Sequence, residues 1–445
     1  MDAAISSQQP EHGFPPSDDQ GALLAEAMRT LPGGALSPSD HAVRGLNAAV
    51  LVNAGGAKLH DVAGRSYVDY AMGGSALILG HAHPAVTAAV SAQVGRGTHY
   101  YQLLHRPAVQ LASAMLRLVP CAERIFFTST GSDAVNQAIR IARAATGRQK
   151  VLRFEGAYHG TSDVALVAMA PEAAGQGSGR AGAAGVPPAH AELVLAAPFG
   201  DAEATAALLE AHRGEVAAVL VDPLQRWLAS DPDFLGCLRG LCDLHGALLV
   251  FDEVVTGFRL APGGAQERTG ITPDLAAYGK ILGGGLPLGA VAGREGPMSA
   301  ADAGLHAGAA LVVTTGTYNA NVLSCIAGLA TLDVLTAPGF HAHLDDRAAG
   351  LRRELQAVFR RHDVPVVVGG DSSFWTLHFA AAEPRDYAEF LRTDRARGRC
   401  LDGELLRNGI WVVPGARRSL SSAHGEAELA VLVDTVDRLC RAGRC

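Results

Sequence analysis

A chain of 445 residues is long enough for two or three structural units around well-buried cores, and 48% hydrophobic and 18% charged residues describe an ordinary globular protein. A formal net charge of −7 with no basic run excludes a nucleic-acid-binding surface. Seven scattered cysteines without a C-x-x-C pair or zinc-ligand spacing read as reduced thiols, and no run of about 18 apolar residues is present to span a bilayer. The first 20 residues lack the basic start and apolar core of a signal peptide, so the expectation is a cytoplasmic protein with a poorly ordered N-terminus over 1–20.

Residues 21–31 read as a short helix stopped by Pro-Gly-Gly, and AVLVNAGGAKLHDVAGRSYVDYAM alternates apolar and polar residues as a small antiparallel meander does. From about residue 84 the pattern becomes helices at 84–96, 106–118 and 132–146, interleaved with the strands RIFFTS, KVLRFE, VAAVLVDP and ALLVFDEV. Strands alternating with helices imply an α/β unit whose mostly parallel sheet is covered on both faces. The stretch 171–190, rich in Gly, Ala and Pro, reads as a surface loop of the kind that forms lids. Beyond it a long helix from Phe340, the strands VPVVVGG, FWTLHFA and GIWVVPG, and a closing helix near 425–441 form a smaller α+β unit. The resulting division is an N-terminal segment at 21–75 packing with the small domain, a large domain at 76–330 and a small domain at 331–445.

The chemistry concentrates at strand ends. Lys280 is one of three lysines in the chain, with Lys58 and Lys150, and it stands between Tyr278-Gly279 and Ile281-Leu282-Gly283-Gly284-Gly285 in a stretch with no other basic group. A desolvated amine there is able to form a Schiff base, which a guanidinium cannot. Asp252 and Glu253 end a buried-looking strand, where a carboxylate needs a cationic partner such as a protonated pyridine nitrogen. Thr130-Gly131-Ser132 at a helix start read either as an ordinary N-cap or as a phosphate site. Tyr158, just past a strand, reads either as a core or rim tyrosine or as an aromatic lying on a planar ring, while His159, His81 and His83 read as structural histidines.

Taken in order, LPGG, ILGHAHP, TSTGSDA, FEGAYHG, FDEVVTGFR, the run from GGAQERTG through AAYGKILGGGLPLGA, and GTYNAN resemble the class III pyridoxal-phosphate aminotransferases, and within them the glutamate-1-semialdehyde 2,1-aminomutase branch. The resemblance implies fold type I, with a seven-stranded, mostly parallel sheet, and pyridoxal 5'-phosphate as cofactor. It makes Lys280 the Schiff-base lysine and Asp252 the partner of the pyridine nitrogen. Val254 and Tyr158 would lie on the two ring faces, and Thr130, Gly131 and Ser132 would bind the phosphate. Thr317 would reach the phosphate of a neighbouring subunit, which implies a homodimer with shared sites.

The chain departs from that branch at the pocket. AMGGSALILGH has Gly73 and Gly74 where the branch commonly has Ser-Trp-Gly, and VDPLQRW has Asp222 for the usual glutamate and adds Arg226-Trp227. Arg417 and Arg418 read either as a carboxylate-binding pair or as a solvated one. With Gly74 and Arg417 as substrate-side residues, the expectation is an aminotransferase joining a small-molecule amine donor to a carbonyl acceptor, such as an oxidised amino sugar of antibiotic biosynthesis. The alternatives are an aminomutase, an epimerase or eliminating enzyme on the same scaffold, and a non-catalytic relative.

Overall fold

The computed structural model describes residues 19–37, 42, 43, 45, 49–171, 177–228, 231–305 and 311–445, so the expectation for 1–18 lies outside the described residues. Its strands are β1 Leu51–Gly55, β2 Lys58–Asp61, β3 Ser66–Asp69, β4 Arg124–Thr128, β5 Lys150–Phe154, β6 Val194–Ala197, β7 Val216–Val221, β8 Leu248–Asp252, β9 Leu275–Tyr278, β10 Gly289–Gly293, β11 Val367–Gly369, β12 Phe374–His378, β13 Ile410–Trp411 and β14 Arg418–Ser419. The longer helices are α1 Gln20–Thr30, α2 Pro84–Val94, α3 Arg106–Leu118, α4 Gly131–Thr146, α5 Ala202–Ala211, α6 Pro232–His245, α7 Val322–Leu335, α8 Phe340–Arg361, α9 Arg395–Arg407 and α10 Glu426–Arg441.

The central sheet has seven strands in the order β4-β10-β9-β8-β7-β5-β6. Only β10 runs against the rest, pairing antiparallel with both β4 and β9. Every residue of β7 and β9 is buried, as expected for strands with helices on both faces. The sequence pattern marks no strand at VLAA, LAAY or GAVAG, where the structure has β6, β9 and β10. Runs of four or five residues carry no readable period, and the alanines and glycines of β9 and β10 let α4 lie close. That helix buries Ala134, Val135, Ala138, Ile139, Ile141 and Ala142, and each fully buried Val or Ile contributes about 1.5–3 kcal/mol.

Around this sheet, β1, β2 and β3 form the expected antiparallel meander, which β13 extends by pairing parallel to β3. The Tyr70 hydroxyl, just past β3, donates to the carbonyl of Glu428 in α10, and its ring meets Trp375 of β12 edge-on. The early meander is thereby tied to C-terminal elements some 300 residues later.

Two expectations need adjusting. The stretch 171–190 is a mostly exposed loop in its described part, as expected, but it is anchored at its start and not free there. Gly177 is buried, the Ser178 hydroxyl donates to the Ala196 carbonyl and accepts from the Ala196 N–H, and Gly179 N–H donates to Val194. This strap lies on β6 and satisfies the backbone groups that an edge strand leaves over. The cysteines are not all free thiols either. Cys440, in the last turn of α10, is joined to Cys445, because the chain folds back there, and the Arg397 guanidinium donates to the Cys445 carbonyl. No single helix among the described residues is long and apolar enough to cross a membrane.

Candidate active site

The carboxyl ends of β4, β5, β7, β8 and β9 open on one cavity of about 590 Å³, the position that ligands take in open α/β sheets. Its walls include Lys280, Asp252, Tyr158, Thr130, Gly131, Ser132, Val254, Gly74 and Arg417, drawn from positions more than 300 residues apart. Thr317 is the exception. It lies exposed on the segment that precedes α7 and does not line this cavity, although Asn319 of the same segment accepts from the Ser129 hydroxyl.

At the end of β4, Thr130 is the N-cap of α4. Its hydroxyl accepts from the Asp133 N–H at 3.1 Å and donates to the Asp133 carboxylate at 2.8 Å. The N–H groups of Gly131 and Ser132 have no acceptor within the helix and sit at its positive end, which suits a phosphate. Gly131 is required by close approach, since a β-carbon there would stand 2.8 Å from Val254 Cγ1. The phosphate loop and the residue expected to face the ring are therefore in contact.

Asp252 ends β8 in a buried position. Its Oδ1 accepts from the Val254 N–H at 3.1 Å, and its Oδ2 lies 2.7 Å from His159 Nδ1. Because a carboxylate only accepts, the His159 proton must sit on Nδ1, leaving Nε2 bare, and Nε2 is a buried atom without a hydrogen-bond partner. Desolvation holds the His159 pKa down despite the pull of Asp252, with Arg153 adding to the depression, so the ring stays neutral and donates. His159, read from sequence as structural, thus orients Asp252. The signal available was the pairing of Tyr158-His159 with an acid on another strand end, and that pairing needs the strand order to be known.

Lys280 follows β9 with φ of +50°, a left-handed conformation disfavoured for a residue with a β-carbon. Burial lowers its ammonium to about 8; Asp252 opposes this and Arg417 adds to it. Asp222, at the end of β7, moves the other way. Desolvation raises its carboxyl to about 7, against the attraction of Arg417 and with the repulsion of Asp252.

Opposite these groups, Met72, Gly73, Gly74 and Ser75 all have positive φ, between 45° and 72°, and the Ser75 N–H donates to the Ala71 carbonyl at 2.9 Å. They form one turn of left-handed helix. The turn is held at its start by Asp69 Oδ1, which accepts from the Ala71 and Met72 N–H groups, and at its end by Arg259, which donates to the Ser75 carbonyl at 2.8 Å. Arg259 is buried and also donates to the Ser373 hydroxyl and the Leu420 carbonyl, joining the turn to the C-terminal elements. A β-carbon on Gly74 would meet nothing within 4 Å, so this wall is open. Arg417 donates to the Leu224 carbonyl at 2.6 Å and stacks 4.4 Å from the Phe374 ring centre.

The donor set fits pyridoxal phosphate: a helix N-terminus for the phosphate, a buried carboxylate oriented by His159 and the Val254 N–H, and an amine whose pKa burial lowers to about 8. Comparisons with known proteins agree. The family model for class-III aminotransferases matches residues 40–412. A glutamate-1-semialdehyde 2,1-aminomutase from Methanopyrus kandleri is 39% identical over 429 residues, covering 94% of this chain and 96% of its own length. An omega-transaminase from Sphaerobacter thermophilus superposes with a TM-score of 0.87 at 32% identity, over 96% of this chain and 98% of that one. A transaminase solved with PLP bound superposes at 0.83 with 29% identity, over 96% and 98%. Similarity on this scale, in sequence and in backbone, makes the chain a member of the class-III aminotransferase family, an enzyme whose cofactor is pyridoxal 5'-phosphate.

Proposed function

We propose that the chain is a transaminase, moving an amino group from a separate carboxylate-bearing donor to a carbonyl acceptor. When bound, the cofactor supplies an electron sink for cleavage of a substrate Cα–H bond. Asp252, fixed by His159 and the Val254 N–H, holds the proton on the pyridine nitrogen. Thr130, Gly131 and Ser132 would bind the phosphate, while Val254 and Tyr158 would confine the ring. Lys280, whose amine burial brings to about 8, would hold the cofactor through its carbonyl carbon at rest. During turnover it takes the proton from the substrate Cα. Arg417 holds the donor carboxylate by a bidentate contact.

A homodimer belongs to the same reading, in which Thr317, exposed and not part of the wall of its own cavity, would reach the phosphate of a second copy. The observation that carries the proposal is the presence of Lys280 and Arg417 on one cavity whose wall at Gly74 is open. For the acceptor, that opening favours a carbonyl compound larger than glutamate 1-semialdehyde, with an oxidised sugar as the class in view. The second reading is a 2,1-aminomutase, favoured by the 39% identity to such an enzyme.

The requirement for a separate donor decides between them. Incubated with amino acids alone, holoenzyme should lose the absorbance of its cofactor–lysine imine and release the matching oxo acid in one equivalent. Isomerisation of glutamate 1-semialdehyde without any added donor, together with inertness toward every amino acid, would instead establish the mutase.

A further inference from the structure

Arg226 shares the cavity with Arg417 and Lys280 but has no task in the chemistry above. It stands in the turn after β7 with φ of +35°, again a conformation that a β-carbon disfavours. Its guanidinium lies 4.0 Å over the Trp227 ring, and Trp227 is itself stacked on Phe390 at 4.1 Å and 6°. The Trp227 indole N–H donates to the Gly415 carbonyl at 2.8 Å, which fixes the stack at its far side. Stacking occupies the face of a guanidinium and leaves its edge of N–H donors available.

Among the described residues that edge is almost unused. The one hydrogen bond from Arg226 is a long contact of 3.4 Å to the Gly156 carbonyl, and it takes part in no ion pair. Arg417 likewise spends one N–H group on the Leu224 carbonyl. The acid whose charge acts on both is Asp222, and burial pushes its carboxyl up to about 7. Two desolvated like charges repel, and the cost is recovered when an anion arrives between or beside them.

We propose that Arg226 binds a second carboxylate, so that the donor is an amino acid with two acid groups, one on Arg417 and the other on Arg226. This rests on the reading of Arg417 as a donor-carboxylate residue. A guanidinium that lines the cavity and is fixed by stacking selects for a planar anion that it meets in two parallel hydrogen bonds. It also selects against polycationic compounds.

Binding and reaction are measured separately. In calorimetric titrations of holoenzyme, glutarate should bind about tenfold or more tighter than its monoamide, the gain expected of a charge-assisted contact. Arg226→Gln should bring the two within about threefold, and Arg226→Lys, which keeps the charge but not the fork, should fall between. In the half-reaction, the ratio of kcat/KM for glutamate over glutamine should collapse in the same order. A preference for the diacid that survives in Arg226→Gln, or no preference in the unaltered enzyme, overturns the proposal. So does a strong preference for O-phosphoserine over glutamate, which would make the second group a phosphate. If glutamate and glutamine react equally well, the second subsite fails while transamination stands. If diacid binding depends on Arg226 but no amino acid reacts, the subsite stands and transamination fails.

Discussion

Burial shifts the Lys280 ammonium from its ordinary value of 10.5 to about 8, with Asp252 pulling it back up and Arg417 pushing it further down. Between these two values the unfolded chain holds a proton that the folded chain has released. Lys280 therefore costs the apoenzyme stability at low pH, and that penalty fades as pH rises from about 8 toward 10.5. The same shift sets reactivity, since only the neutral amine attacks a carbonyl. Cofactor loading of apoenzyme should accelerate about tenfold per pH unit below 8 and level off above it. Stopped-flow absorbance measures this directly, and a profile still rising steeply at pH 10 would mean that the amine is not desolvated. At this scale the sequence was informative wherever a residue's chemistry is distinctive. Lys280 stood out because lysine is rare in the chain, and Asp252 because an acid closed an apolar strand. His159 was not legible, because its meaning is a 2.7 Å contact between two strand ends that are not neighbours in the sheet.

Elements with strong patterns were read within a few residues of their bounds: α3 at 106–118, α4 near 132–146, and the cores of β5, β7 and β8. The weakly patterned ones escaped. β9, which delivers Lys280, is the four-residue run Leu275–Tyr278 and was indistinguishable from loop. The left-handed turn at 72–75 was visible only as two adjacent glycines. Its energetics are accessible by substitution. Gly74→Ala meets no atom, yet the positive φ should cost about 1–2 kcal/mol in denaturant unfolding. An unchanged midpoint would show that the turn relaxes to ordinary backbone once the second glycine is gone. Since the turn is clamped by Asp69 at one end and Arg259 at the other, the loss should appear in full.

For the whole molecule, the α/β class followed from the alternation of periods. Pairing of β13 with β3 did not, because a two-residue strand carries no signal. The proposed dimer belongs at this scale. A second cavity, of about 490 Å³, is lined by Leu103, Leu104, Val109, Leu116, Phe126 and Thr314 among others, and Leu103 and Leu104 are 71% and 88% exposed. Two adjacent leucines so exposed beside an apolar groove need a cover. Leu104→Glu should shift the sedimenting species from twice the chain mass toward 46.0 kDa and weaken cofactor retention with it. Loss of the dimer with cofactor held as tightly as before would remove Thr317 from the phosphate site.

The strap of residues 177–182 has a consequence for how this sheet fails. A twisted sheet ordinarily has two margins at which a foreign backbone can dock, and fibrils need both, one to be captured and one to capture. Here β6 is sealed by its own chain through Ser178 and Gly179, leaving β4 as the sole outer strand of the central sheet without such a cover among the described residues. A building block with one reactive side can pair, but it cannot propagate. Partly destabilised copies are therefore expected to stall as couples instead of growing into filaments.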